Sequence, residues 1–420
     1  MKVWTHPKSW LKPGVQSSWK FLWEYSLARK RVKRGKTMNN YDVIIIGSGS
    51  IGTPAAFFLS KAGLKVLVVD SAASVGQGSN KKAIGGIRAT HSDPTKIQLC
   101  QRSIEIFSTW RESTGDDIEW FEGGYCFVAY RQREEETLKD LVVYQKNMGL
   151  QVDWLDKQQT LELVPDFNSV DLLGSSYSPK DGNASPLLAI HSFYTQAENH
   201  GANFVFNEPV IQILHDHGRL TGLQTPLDKY FAPVIINAAG AWARPVAALL
   251  SVDLPVTPDS HESAITEPVA RFLRPMVVDI RPSPGSSNYY FYQHITGQLI
   301  FCITPNPSIW GDNAQETSDF LPMVARRMVD LMPRLSNLRV RRTWRGLYPM
   351  TPDGIPIVGW NREYDGFLLA TGMCGQGFML GPSIGELLTR MVLKSLQPGD
   401  EAILTDLSPY RKFSGMEKLK

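Results

Sequence analysis

Cysteine is scarce in this chain. Cys100, Cys126, Cys302 and Cys374 are scattered over 420 residues and form no CxxC pair. That spacing excludes a disulfide scaffold and a zinc ribbon, leaves nothing to hold an iron–sulfur centre, and fits a reducing compartment. Low-complexity composition is lacking too. Gly (34) and Pro (27) are near average, so collagen-like and low-complexity readings drop out. With 43% hydrophobic and 20% charged residues the chain can bury a core. Its length suits two or three domains, or one large interleaved pair. No internal repeat is found.

Charge of one sign is missing overall, at net +3, but it is unevenly placed. Residues 1–40 carry ten Lys/Arg against Glu24, or +9, which leaves the remaining 380 residues at −6. The body therefore lacks the footprint of a nucleic-acid binder. The first forty residues hold Trp4, Trp10, Trp19 and Trp23 and a basic run at 29–36. They contain no 18-residue apolar run for a membrane span and no apolar region with a small-residue cleavage site. Trp with Lys/Arg suits weak contact with an anionic membrane surface; a plain tail, or a start at Met38, are the alternatives. The expected location is cytoplasmic, or peripheral on the inner membrane face.

The body opens with strand, helix and strand. Residues 41–46 are an apolar run, 51–62 read as a helix stopped by Gly63, and 65–69 form a second β-branched run ending at Asp70. Helices are expected over 94–113, 131–147, 185–200, 317–332 and 383–396. Strands are expected over 203–206, 209–214, 219–224, 231–237 and 366–371, with a hairpin turn at 216–218 and an antiparallel sheet over 255–304. Gly47, Gly49 and Gly52 fit GxGxxG between the first strand and its helix. Gly47 permits the tight turn, Gly49 lets a pyrophosphate approach the backbone, and Gly52 lets helix and strand pack closely. The helix N-terminus then offers free N–H groups to the phosphates. Asp70, 18 positions after Gly52, suits both ribose hydroxyls and would repel a 2′-phosphate. FAD is separated from NAD by three further stretches: the glycine-bearing loop 79–91, the AsnAlaAlaGlyAlaTrpAla run at 237–243, and the glycine-rich loop 372–386.

With Gly47–Asp70, Gly85–Arg88, Ala238–Trp242, the run 345–359 and Gly372–Glu386 in this order, the chain resembles the D-amino-acid-oxidase-like (DAO) flavoproteins. The branch it is most similar to is that of sarcosine oxidase β-subunits, glycine oxidases and amino-acid dehydrogenases. The resemblance covers roughly 41–396 and implies an α/β (α+β) fold. A Rossmann-like FAD-binding domain of the GR2 type (41–119, 149–254 and 341–410) is interleaved with a mostly antiparallel-sheet substrate domain (120–148 and 255–340). It implies that a neutral amine gives a hydride from its α-carbon to flavin N5, and that the imine is then hydrolysed. Electrons would pass to oxygen, a quinone or a partner subunit. By the same resemblance FAD contacts come from Ser48, Ser50, Ile51 and Ser71 around the first motif, from Ser79, Asn80, Gly85 and Gly86, and from Val210. Further contacts are implied at Ala239, Gly240 and Trp242, at Gly346, and at Gly372, Gly375, Gln376, Gly377, Phe378 and Met379.

The chain departs from family patterns at four positions. Tyr348 stands where glycine-oxidase-like proteins carry an Arg. Gly346 stands where monomeric sarcosine oxidases attach FAD to a Cys, and Ala83 where dimethylglycine-dehydrogenase-like proteins use a His. FAD is therefore expected to be non-covalent. Gln376 takes the place of a His and cannot titrate. Arg88 is the expected carboxylate ligand, since its planar fork binds both oxygens; an ion pair or a flavin contact is its other reading. Tyr290, Tyr292 and His294 alternate on one strand and share a face that lines the pocket or merely packs. His91 is a base or a structural hydrogen-bonder. Gly381–Gly385 matches GxSxG, but lies ten residues past the strand that a nucleophile elbow needs. His215 and His217 fit a solvated turn better than a metal site. A non-catalytic or partner-dependent flavoprotein with this fold is the rival reading.

Overall fold

Residues 43–46 are β-branched and wholly buried, and so take the centre of a sheet rather than its edge. The computed structural model describes residues 39–415, and from Tyr41 onward they form one compact unit. Six strands run in the order Ile357–Trp360, Phe367–Thr371, Val234–Asn237, Val43–Ile46, Val66–Val69, Asn203–Val205, parallel except for the first pair. Alternation sends Val43 and Ile45 to one face and Ile44 and Ile46 to the other. The first face packs helices Gly52–Lys61, Pro94–Ser108, Pro186–Asn199 and Gly377–Leu393. The second packs the three-stranded sheet Gln212–Asp216, Arg219–Gln224, Lys229–Phe231. Two helix starts follow capping chemistry closely. Asp93 accepts Lys96 N–H ahead of Pro94, and Ser185 accepts Leu188 N–H ahead of Pro186.

A second sheet has eight strands, in the order Val340–Met350, Thr257–Thr266, Leu299–Asn306, Gly285–Gln293, Met276–Asp279, Tyr125–Ala129, Gly174–Ser178, Asp153–Asp156. All its pairs are antiparallel except Met276–Asp279 with Tyr125–Ala129. Tyr289 and Phe291 point to the face covered by helix Phe320–Leu331, whereas Tyr290 and Tyr292 point to the other.

Several expectations shift. Strands Asp153–Asp156, Gly174–Ser178 and Val340–Met350 lie in segments assigned to the nucleotide half, yet they pair in the eight-stranded sheet. The run 231–237 is split, because Pro233 lacks an N–H and separates Lys229–Phe231 from Val234–Asn237. The hairpin turn falls within the expected 216–218, at His217 and Gly218, both left-handed (φ 46° and 83°). The last long helix starts at Gly377, not 383, and a further helix follows at Asp400–Asp406. GxSxG is therefore helix interior: Ser383 is buried and its Oγ donates to Leu380 O at 3.0 Å. The readings made for residues 1–38 fall outside the described residues. Among the described residues, no helix is long and apolar enough to cross a membrane.

Candidate active site

Four loops converge at the C-terminal ends of the parallel strands. Gly47, left-handed at φ 104°, lies against Ala238; a Cβ on it would come 2.6 Å from Ala238 O. A Cβ on Gly52 would sit 1.9 Å from Gly47 O, so both glycines are demanded by the protein's own packing. Gly49 and Gly240 are different: a Cβ on either would meet no protein atom within 4 Å. Ser48 N–H and Oγ both donate to Asp70 Oδ2 at 2.7 Å, and Ala72 N–H donates to Oδ1 at 2.8 Å. Asp70 thus braces the loop and keeps lone pairs for a ribose hydroxyl. Ser50 Oγ donates to Asn80 Oδ1 (2.7 Å), Ser79 Oγ to Leu347 O (2.7 Å), and Thr371 Oγ1 to Gly240 O (3.3 Å).

Two helix N-termini meet here. Helices Gly52–Lys61 and Gly377–Leu393 have no side-chain cap and no acidic residue in the first turn. They approach closely because Gly381 and Gly385 face Ser50 and Pro54; a Cβ on Gly381 would lie 2.0 Å from Ser50 O. Their uncapped N–H groups and partial positive charges suit an anionic ligand. Gln376, at the second N-terminus, is 8% exposed, and its Oε1 has no partner within the protein. An orphaned buried acceptor is costly unless a ligand donates to it. Open space at Gly49 and Gly240, two bare helix ends and this orphan together fit a flavin dinucleotide.

One face of the eight-stranded sheet closes the cleft. Register puts Tyr348 opposite Asp259, Gly346 opposite His261, and Cys302 between Ser263 and Tyr290. The same cross-strand row continues through Val278 to Phe127. Tyr290 and Tyr348 hydroxyls lie 3.0 Å apart. Burial holds both phenols well above the usual tyrosine range. A Cβ on Gly375 would come 2.1 Å from Tyr348 Cε2, so the sheet face touches the loop that carries Gln376. Gly375→Ala should therefore cost about 2 kcal/mol or more, from its left-handed φ of 83° plus the clash, read as a lower Tm.

The expected residues fall in several different surroundings. Arg88 is 6% exposed, lies over the Phe127 ring (5.4 Å) and donates to Thr90 O. Phe127, under the guanidinium, is on the same sheet face as Tyr290, two strands away, or about 10 Å by strand spacing. Gly86 packs on Tyr125 and Met276, Gly85 on Ala184 O, and Gly346 on Lys82. Tyr292 donates to Ile84 O at 2.5 Å. Gly372 abuts Thr351, and Gly377 faces Met373 and Ser50. Ala239 N–H is held by Asn237 Oδ1, while Trp242 is 51% exposed. Ile51 precedes the first helix and is buried in its core; Ser71 is exposed and Val210 half-buried beside the three-stranded sheet. Phe378 and Met379 are core residues, Phe378 against Phe107 (5.3 Å). His91 is wholly buried against Cys100 Sγ (3.4 Å) and its carbonyl accepts from Gln145, which are packing contacts. His294 lies past its strand's end and pairs with Glu119 (3.2 Å). Sequence reasoning missed Asp259 and His261. Their signal was a run of consecutive polar residues inside a strand, Asp259, Ser260, His261, Glu262 and Ser263, all of them buried.

The chain is 26% identical over 362 residues to glycine oxidase from Geobacillus kaustophilus, covering 84% of this chain and 93% of the relative. It is 24% identical over 368 residues to human mitochondrial sarcosine dehydrogenase, covering 84% of this chain but 39% of that longer protein. The crystal structure of L-proline dehydrogenase from P. horikoshii superposes with a TM-score of 0.82 at 27% identity, over 89% of this chain and 98% of that one. The model of the DAO family, FAD dependent oxidoreductases, matches residues 42–391. The chain belongs to this family and is an FAD-dependent oxidoreductase acting on the CH–NH group of amino acids or amines.

Proposed function

We propose that this protein oxidises the C–N bond of a small amino acid or secondary amine of the sarcosine, glycine, proline or D-amino-acid type to an imine. Oxygen, a quinone or a partner subunit then takes the electrons. The observation that carries this reading is the aromatic sheet face on which Tyr290 and Tyr348 stand, with Arg88 over its Phe127 ring, in contact with the Gly375–Gln376 loop. Bound FAD supplies the two-electron acceptor. The Gly47–Gly52 loop and its helix hold the pyrophosphate, and Asp70 the ribose. Gln376 Oε1 accepts a hydrogen bond from the ligand. Arg88 draws the substrate carboxylate and the phenol pair fixes its polar end, while the buried walls exclude water. A small substrate suits this face because Phe127, Tyr290 and Tyr348 put three bulky rings on it. The interleaved division into a nucleotide-binding part and a substrate-covering part is adopted in this proposal, with Asp153–Asp156, Gly174–Ser178 and Val340–Met350 counted in the covering sheet.

The test is anaerobic. Sarcosine, glycine, proline and a D-amino-acid panel are added singly to the yellow protein, and the band at about 450 nm is followed. Bleaching by one of them is expected, and readmitted air separates oxidase from dehydrogenase. A yellow protein that none bleaches would sink the reading and point to a partner-dependent role.

A further inference from the structure

A short chain of contacts runs from the protein surface to the phenol pair. Asp259 and His261 stand on the buried strand Thr257–Thr266 and are 3% and 4% exposed. Asp259 Oδ1 accepts Ile309 N–H at 2.7 Å, which anchors the start of the exposed segment after Asn306. Asp259 Oδ2 meets His261 Nε2 at 3.2 Å. The His261 imidazole lies flat on the Tyr348 ring, with centroids 3.8 Å apart and planes 15° apart. Tyr348 is thus held by the imidazole and by Gly375, with its hydroxyl aimed at Tyr290. A tyrosine on an edge strand has rotamer freedom to lose, and a hydroxyl placed within hydrogen-bond reach of a substrate must keep one direction.

We propose that His261, tied down by Asp259, is the positioning residue of this site: its stacked ring sets the direction of the Tyr348 hydroxyl and so the specificity of the phenol pair. This deepens the reading given under Proposed function and rests on it for its kinetic consequence, though not for its geometry. The stack carries the effect, and the contact with Asp259 is secondary to it. A planar ring of similar size should therefore serve, whereas an aliphatic side chain of similar volume should not.

The test uses the full chain labelled with 3-fluorotyrosine. The Tyr348 fluorine resonance is assigned as the one missing from Tyr348→Phe, and is compared in His261→Leu and His261→Phe. A sharp resonance in the parent and in H261F, but a shifted or exchange-broadened one in H261L, is the expected result. An unchanged Tyr348 resonance in H261L, or equal disturbance in both variants, would overturn the proposal. Because both replacements are apolar and fill the site, loss of folding common to both is read from far-ultraviolet circular dichroism, and Asp259→Asn then supplies the comparison: its amide oxygen still accepts from the imidazole and the ring is unchanged, so the same resonance should stay sharp, and a broadened one would overturn the proposal. With whichever amine bleaches the flavin, H261L should raise KM about tenfold with kcat within about twofold, and H261F should recover most of that KM. If no amine bleaches the parent protein, the reading under Proposed function fails while the resonances still decide the role of His261.

Discussion

Gly49→Asp should give a folded, colourless protein. A side chain at Gly49 meets no protein atom within 4 Å and its backbone is not left-handed, so the substitution leaves the protein's own packing alone. The carboxylate would lie beside the uncapped N-terminus of helix Gly52–Lys61, where negative charge is favourable, so the Tm of the apoprotein should hold or rise slightly. The same charge occupies the space and the field that a pyrophosphate needs. Loss of about 3 kcal/mol of binding corresponds to FAD affinity weaker by about 100-fold. Flavin content after purification and a titration of the apoprotein with FAD measure this. Gly52→Ala is the contrasting case. Its Cβ would stand 1.9 Å from Gly47 O, so that protein should lose Tm as well as flavin. A Gly49→Asp protein that stays yellow would remove the dinucleotide from this loop.

That contrast shows which part of the site was legible in the sequence. Glycine spacing, the apolar runs at 43–46 and 66–69 and the acidic residue at 70 all obey local rules, and the strand, glycine loop and helix formed where they placed them. The loop at 372–386 was legible as glycine-rich but not as helix from Gly377. Gly381 and Gly385 serve close helix–helix contact rather than a turn, and Pro382 sits inside the helix. Local propensity counts these three residues as breakers, whereas tertiary packing keeps them helical. The Asp259–His261–Tyr348 chain was illegible for another reason. Its members sit on two strands about 90 positions apart, and only the register of a long antiparallel pair brings them together.

Arg88→Met should fail in two separable ways, and the loss of stability depends on pH. Asp181 is buried and accepts Ala89 N–H (2.8 Å) and Thr90 Oγ1 (3.0 Å). Burial pushes its carboxyl up to about 6, against those hydrogen bonds and the nearby Arg88 charge, which hold it down. The folded value lies above that of the unfolded chain, so the folded state binds this proton more tightly. Stability from Asp181 is therefore present below pH of about 4 and is lost as pH rises through about 6. Removing the Arg88 charge raises the folded value further and deepens the loss on the alkaline side. Arg88→Met should cost about 3 kcal/mol at pH 8, as expected when a buried charge loses its counter-charge, and much less at pH 5. Thermal unfolding across that range reads the difference. Arg88→Met/Asp181→Asn removes the stranded charge and should restore the Tm at pH 8. If the guanidinium also holds the substrate carboxylate, the double variant keeps a KM raised by about 100-fold for the amino acid that bleaches the flavin, because a charged pair in a desolvated pocket is worth about 2–5 kcal/mol. A double variant that regains both Tm and KM would confine Arg88 to the fold, and the carboxylate would then fall to the Tyr290 and Tyr348 hydroxyls alone.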